Sequence, residues 1–170
     1  SVAQEMVSMT AANGIQWMAS SEGVLAHTLG MDSFTRDGNE VVVEADQLYR
    51  PYVVQGRNGG PVAMVFRDII ISDKVGFTYS GVSGEAAADD FIDRIHNICG
   101  RLQSPDANGE TPQGPHLVSV ILDGENAWEH YDNDGKDFLH ALYQQLNDDP
   151  TIITVTPSEF MEMDHEQPCL

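Results

Sequence analysis

Strand-sized apolar runs alternate with helix-periodic stretches along this chain, and that alternation limits the possible folds more than any other feature. The runs Ile15 to Ala19, Val62 to Phe66, Leu117 to Leu122 and Ile152 to Val155 are rich in β-branched or aromatic residues, and each is long enough for one strand. Val2 to Ala12 ahead of Gly14, Ala86 to Leu102, and Lys136 to Leu146 entered through Asp134 carry helical periodicity. Ser1 to Gln4 and Thr156-Pro157-Ser158-Glu159 read as capping boxes, the second with Pro157 at the first helical position. Alternation of this kind predicts parallel strands joined by right-handed crossovers, an α/β sheet or barrel, with residues 1–170 forming one domain. Four parallel strands cannot close a barrel of the usual size, so the chain reads as part of a larger one.

Two polar, turn-rich stretches interrupt the pattern. Asp32 to Gly60 has one small apolar patch at Val41 to Val43, and Ser104 to Pro115 holds Pro105, Pro112 and Pro115 with Gly109 and Gly114. Both are expected to be long loops, which in compact α/β domains often carry function. Aspartate and glutamate number 27 against 8 lysines and arginines, for a net charge of -19. Binding to nucleic acid or to an anionic membrane surface needs clustered cations that such a chain lacks, so neither is expected as a partner. With 41% hydrophobic and 21% charged residues, the composition is that of a globular protein. Cys99 and Cys169 are far apart, without a CxxC pair, and signal neither a disulfide scaffold nor a thiolate zinc site. No apolar run approaches the roughly 18 residues of a membrane span and no signal-peptide pattern opens the chain, so a soluble protein is expected, the cytoplasm being the favoured compartment.

Chemistry collects just past the strands. Glu22 follows the first, Arg67-Asp68 the second and Asp123-Gly124-Glu125 the third. In parallel architectures, loops at the carboxyl ends of strands converge on one face, where acids serve as cation ligands or as acid/base groups. Asp and Glu also cap helices, which would explain any one of these positions. Carboxylates, an amide and aromatic rings crowd Leu122 to Tyr131, a mixture that binds sugars through hydroxyl hydrogen bonds and ring stacking. One such carboxyl can then act as a general acid. Trp128 and Tyr131 can equally be core residues of a helix face, and Arg67 can pair with an Asp simply to hold a loop on the rim. The six histidines form no HxxxH or HExxH pair, Asp132-Asn133-Asp134-Gly135 fails the calcium-loop spacing, and no Gly-rich phosphate loop follows a strand, so neither a metal nor another cofactor is expected. Asp134 is expected as a helix N-cap.

The string Val118-Ser-Val-Ile-Leu-Asp-Gly-Glu-Asn-Ala-Trp-Glu-His-Tyr131 resembles the fourth signature region of glycoside hydrolase family 57, the amylopullulanase-type enzymes acting on α-glucans. Gly14 to Leu25, Leu48-Tyr-Arg-Pro51, Val65-Phe-Arg-Asp68, Ile71 to Phe77 and Thr154 to Phe160 resemble further family segments in the same order, so the likeness covers nearly the whole chain. The resemblance implies a retaining glycoside hydrolase or glucanotransferase, with Asp123 as general acid/base and Glu125 as a second carboxylate beside the reacting sugar. Trp128, Arg67, Asp68, Asp73 and Glu22 would contact the α-glucan or maltooligosaccharide. Ser21 stands where many relatives have Asp. The family's nucleophilic Glu would precede Ser1, which implies that the chain is the later part of a (β/α)7 barrel, completed by the remainder of its polypeptide and inactive alone. The alternative is a non-catalytic glucan-binding or regulatory module that keeps the fold. A barrel predicts Glu22, Asp68, Asp123 and Glu125 at one face of the sheet. Incompleteness predicts apolar surface along the first strand or the helices.

Overall fold

The computed structural model describes residues 4–57, 59–106, 108–125 and 128–163. Helix α1 (Gln4–Ala12) leads to strand β1 (Trp17–Ser21) and helix α2 (Glu22–Thr28). A long connection holds the short helix α3 (Ala45–Leu48) and strand β2 (Tyr52–Gln55), ahead of strand β3 (Pro61–Arg67) and helix α4 (Ile69–Asp73). A π-helical turn at Lys74–Thr78 follows, then α5 (Gly84–Leu102), α6 (Lys136–Asp148) and α7 (Pro157–Glu162). Among the described residues the sheet has three strands in the order β1-β3-β2. β1 pairs with β3 in parallel, from Trp17 opposite Ala63 to Ser21 opposite Arg67, whereas β2 is antiparallel to β3.

This is a mixed α/β fold, but the sheet differs from the expected run of four parallel strands. β2 lies inside the stretch expected to be a loop, and covers the edge of β3 over Pro61 to Met64. Only the carboxyl end of β3 stays open on that side, and there the third apolar run makes a single parallel bridge, Ser119 to Arg67. A strand needs a partner along its length, so Leu117 to Leu122 does not become one. Neither is the fourth run, Ile152 to Val155, a strand. Both runs instead line an apolar groove of about 520 Å³ with Phe91, Ile98 and Leu102 of α5.

The first strand begins two residues later than the hydrophobic pattern suggests. α1 closes on Gly14 at φ 76°, with Gly14 N–H donating to the Ala11 carbonyl at 3.0 Å and Ile15 N–H to that of Thr10 at 3.2 Å. This Schellman closure takes Ile15 into the helix end. The expected capping box at Thr156 is present: Glu159 N–H donates to Thr156 Oγ1 at 3.2 Å and Thr156 N–H to Glu159 Oε2 at 2.7 Å. That at Ser1 lies outside the described residues. Asp134 is not the N-cap of α6. Gly135 holds that place at φ 72°, after Asn133 and Asp134 at φ 52° and 56°, and this left-handed turn leaves the Asp134 carboxylate on the surface beside Lys136. The expected apolar exposure is present on α1 at Met6 and Met9 and at Ile15 just past its end, and none of the large exposed hydrophobics lies on β1.

The core forms where the sheet meets α5 and α6. α5 starts at Ser83, whose Oγ accepts from Ala86 N–H at 3.3 Å, and buries Ala87, Ala88, Phe91, Ile92 and Ile98 along one stripe. α6 answers with Phe138 and Leu142, and Phe138 sits 5.5 Å from the ring of Tyr79. The two helices approach most closely at Gly84, where an added Cβ would lie 2.5 Å from the Asp137 carbonyl carbon and the Phe138 nitrogen. Gly84→Ala must therefore push backbone apart, and is expected to cost about 1–3 kcal/mol and to lower Tm by several degrees, measured by thermal unfolding.

Asp90 joins the π-helical region to α5. Its Oδ2 accepts from the Tyr79 hydroxyl at 2.6 Å and Arg94 Nε at 2.8 Å, with Lys74 Nζ at 3.7 Å. Burial raises the carboxyl pKa, but the bonds from Arg94 and Tyr79 and the charges of Arg94 and Lys74 outweigh it and hold Asp90 below its ordinary value. A depressed folded-state pKa adds stability above the unfolded value of about 3.9, and loses it as pH falls through the folded value. Asp90→Asn should therefore be less stable than the parent at pH 6, with the gap closing below about pH 4, as read from urea midpoints across that range.

Candidate functional site

The site is built on the parallel register of β1 and β3. Ser21 lies opposite Arg67, so the next residue of each strand, Glu22 and Asp68, leaves the same end of the sheet side by side. Each acid opens a helix. Ser21 caps α2, and the Asp68 carboxylate caps α4 by accepting from Ile70 N–H at 2.9 Å and Ile71 N–H at 3.2 Å. Such caps satisfy helix-end donors and set the direction in which each chain leaves the sheet.

Arg36, from the long connection, lies between the two acids. Its Nη2 is 2.7 and 2.9 Å from the oxygens of Glu22 and 3.2 Å from Asp68 Oδ1. Burial works against the charged guanidinium, but the Asp68 charge and the bonds to Glu22 hold its pKa above the ordinary value. Tyr49, just past α3 and wholly buried, donates its hydroxyl to Asp68 Oδ2 at 2.5 Å. Burial first, then the Asp68 charge, push this phenol far above its ordinary pKa, so it stays a donor at any working pH. Ile69 N–H completes the cluster with a 2.8 Å bond to Glu22 Oε2.

Asp68 is therefore 1% exposed, with its oxygens taken by Arg36, Tyr49 and two backbone amides. Direct contact with a sugar hydroxyl was one expectation for it; in the structure it is a helix cap and an ion-pair partner. Arg67 and Asp73 do meet, Nη2 to Oδ1 at 2.5 Å, while the buried Arg67 Nε has no hydrogen-bond partner among the described residues.

The third acidic segment reaches the same end of the sheet. Leu117 N–H donates to the Tyr49 carbonyl at 2.7 Å, Asp68 N–H to that of Ser119 at 3.3 Å, and Ile121 N–H to Ser72 Oγ at 3.2 Å. The direction is fixed by the parallel bridge between Ser119 and Arg67. Asp123 and Glu125 follow as exposed residues of the ensuing loop. The neighbouring Asn126 and Ala127 lie outside the described residues. Trp128 packs inward, 5.4 Å from the ring of Tyr131 and 6.4 Å from that of Phe138, and the Tyr131 hydroxyl bonds to the Val75 carbonyl. The indole that the composition of this segment suggested for sugar stacking is thus half-buried as part of the loop's aromatic anchor.

Arg36 was not singled out from the sequence, and Tyr49 entered only within the segment Leu48-Tyr-Arg-Pro51, without a role. A usable signal was the scarcity of cations: in a chain with 8 lysines and arginines, Arg36, Arg50, Arg67, Arg94 and Arg101 each pair with a carboxylate. Among the described residues no three His, Cys, Asp or Glu side chains group as a metal site. No described helix is long and apolar enough to cross a membrane.

Comparison with known proteins adds one result. No curated protein matches the chain. A family model described as glycosyl hydrolase family 57 does match, over residues 1–169. Spanning essentially the whole chain, that match shows that this protein belongs to glycosyl hydrolase family 57, a family of glycoside hydrolase or transferase chemistry.

Proposed function

We propose that this chain supplies the acid/base part of a retaining enzyme that hydrolyses or transfers α-glucan, with Asp123 as the general acid/base. The observation that carries this reading is the parallel bridge from Ser119 to Arg67, which brings the segment ending in Asp123 to the sheet end where Glu22 and Arg67 emerge. Asp123 is exposed there, as a group must be that protonates a glycosidic oxygen and then activates water or an acceptor hydroxyl. Glu125, two residues on and also exposed, is the second carboxylate beside the sugar.

Arg67 and Asp73 are proposed to bind sugar hydroxyls, because both side chains stay partly exposed at this end of the sheet, Asp73 about half so. Glu22 joins them as a hydroxyl acceptor. Asp68 contributes by fixing Glu22 and α4, and Trp128 by anchoring the catalytic loop through Tyr131 and Phe138. The retaining reaction also needs a nucleophilic carboxylate about 5 to 5.5 Å from the acid/base. We place that group outside these 170 residues, so the isolated chain is expected to be inactive.

The test is Asp123→Asn in the protein that carries this chain, with turnover of maltooligosaccharides measured beside that of a substrate with an acidic leaving group. Loss of the proton donor and acceptor should lower kcat on the unactivated glucan by about a hundredfold to ten-thousandfold, with the activated substrate suffering least in the glycosylation step. Turnover within a few fold of the parent, in a variant with unchanged thermal unfolding, would remove Asp123 from the role and make Glu125 the next candidate. Binding of maltooligosaccharide without any turnover by the parent would instead identify a non-catalytic glucan-binding module.

A further inference from the structure

We infer that Arg36 is the positioning residue of the sugar-binding face, holding Glu22 in the orientation in which it accepts a glucan hydroxyl; this rests on the proposed assignment of Glu22 as a substrate ligand. Glu22 and Asp68 leave neighbouring strands in register. Paired strands run about 4.8 Å apart, so the two carboxylates start from adjacent positions where like charges repel. The Arg36 guanidinium reaches both, through bonds of 2.7 and 2.9 Å to Glu22 and 3.2 Å to Asp68.

The aim of Arg36 is itself fixed. Its Nη1 donates to the Glu40 carbonyl at 2.9 Å, and its backbone forms an antiparallel bridge with Val42, which is fully buried. With a side chain only 17% exposed, it is a built-in strut and not a swinging surface arginine.

The acids at its two sides are not equivalent. Asp68 also receives Tyr49 and two helix amides and is only 1% exposed, so burial closes it to a ligand. Glu22 is 12% exposed, and among the described hydrogen bonds its Oε1 accepts from Arg36 alone. A carboxylate oxygen has two lone pairs, which leaves Oε1 one acceptor site. Two carboxylates and one guanidinium also sum to a single net negative charge, and its solvent-facing share lies on Glu22. A sugar hydroxyl finds there an anionic acceptor whose direction is set by the guanidinium, which lowers the ordering cost of binding.

Steady-state kinetics on a maltooligosaccharide series, with thermal unfolding alongside, test this in the protein that carries the chain. Glu22→Gln should raise KM, and Arg36→Gln should raise it about tenfold with kcat changed less, as expected for the loss of a charge-assisted bond's geometry. Arg36→Lys keeps the charge but not the fork, so its KM should fall between the two. A KM at the parent value for Arg36→Gln, in the face of a raised KM for Glu22→Gln, would overturn the inference and leave the Glu22 assignment standing. An unchanged KM for Glu22→Gln would remove that assignment and the inference with it. If Arg36→Gln fails to fold, Arg36→Lys decides: a raised KM supports positioning and a parental KM overturns it.

Discussion

One guanidinium makes the centre of this fold possible. The parallel register of β1 and β3 delivers two acids to the same end of the sheet, one of them fully buried, and neither the register nor the helix that Asp68 caps would be favourable with that charge unanswered. Arg36 answers it from a distant loop, and Tyr49 and the amides of α4 supply the remaining donors. Breaking a buried pair by removing one partner costs more than the pair itself contributes, about 3–5 kcal/mol in measured cases. The long connection is therefore constrained far more tightly than its turn-rich composition suggests.

The same economy of cations runs through the molecule. A net charge of -19 is tolerable because most carboxylates face water, and the arginines are kept for places where acids are drawn together. Arg94 spans Asp90 and Glu40, Arg101 reaches Asp37, and Arg50 pairs with Asp46, which also meets His116. Three of these links tie the 32–60 stretch to other parts of the chain: Arg94 and Arg101 bring α5 to it, and His116 brings the third apolar run. Electrostatic pairing thus holds this stretch alongside the ladder between β2 and β3.

The elements legible in the sequence were those whose signals are local. α5 and α6 announced themselves by amphipathic spacing, α7 by its capping box, and β1 and β3 by short apolar runs that pair with each other. The misses required knowledge of partners. β2, Tyr52-Val-Val-Gln55, has strand-forming residues but only four of them inside a turn-rich stretch; it is a strand because β3 offers it an edge, and by taking that edge it limits Leu117 to Leu122 to one bridge. The acids at the strand ends were readable from position, since the period of a strand and the end of a run fix where Glu22 and Asp68 emerge. Their partners were not, because Arg36 and Tyr49 approach through a connection whose path no local pattern specifies. Trp128 shows the converse: composition gave it a plausible task in sugar stacking, and the left-handed turn ending at Gly135, whose missing Cβ would lie 2.9 Å from the indole, seats it inside.

The crossover between β1 and β3 is the segment that contains Arg36, Tyr49 and β2. In most parallel pairs a crossover is a spacer, and another of similar length and hand can be grafted in its place. Here the covalent link between the two acids also carries their counterion and a phenol donor, so strand pair and connection form a unit of inheritance. Recombination that exchanged residues 23–60 for a foreign crossover would return two strands that still match in register, and would leave Asp68 buried without its countercharge.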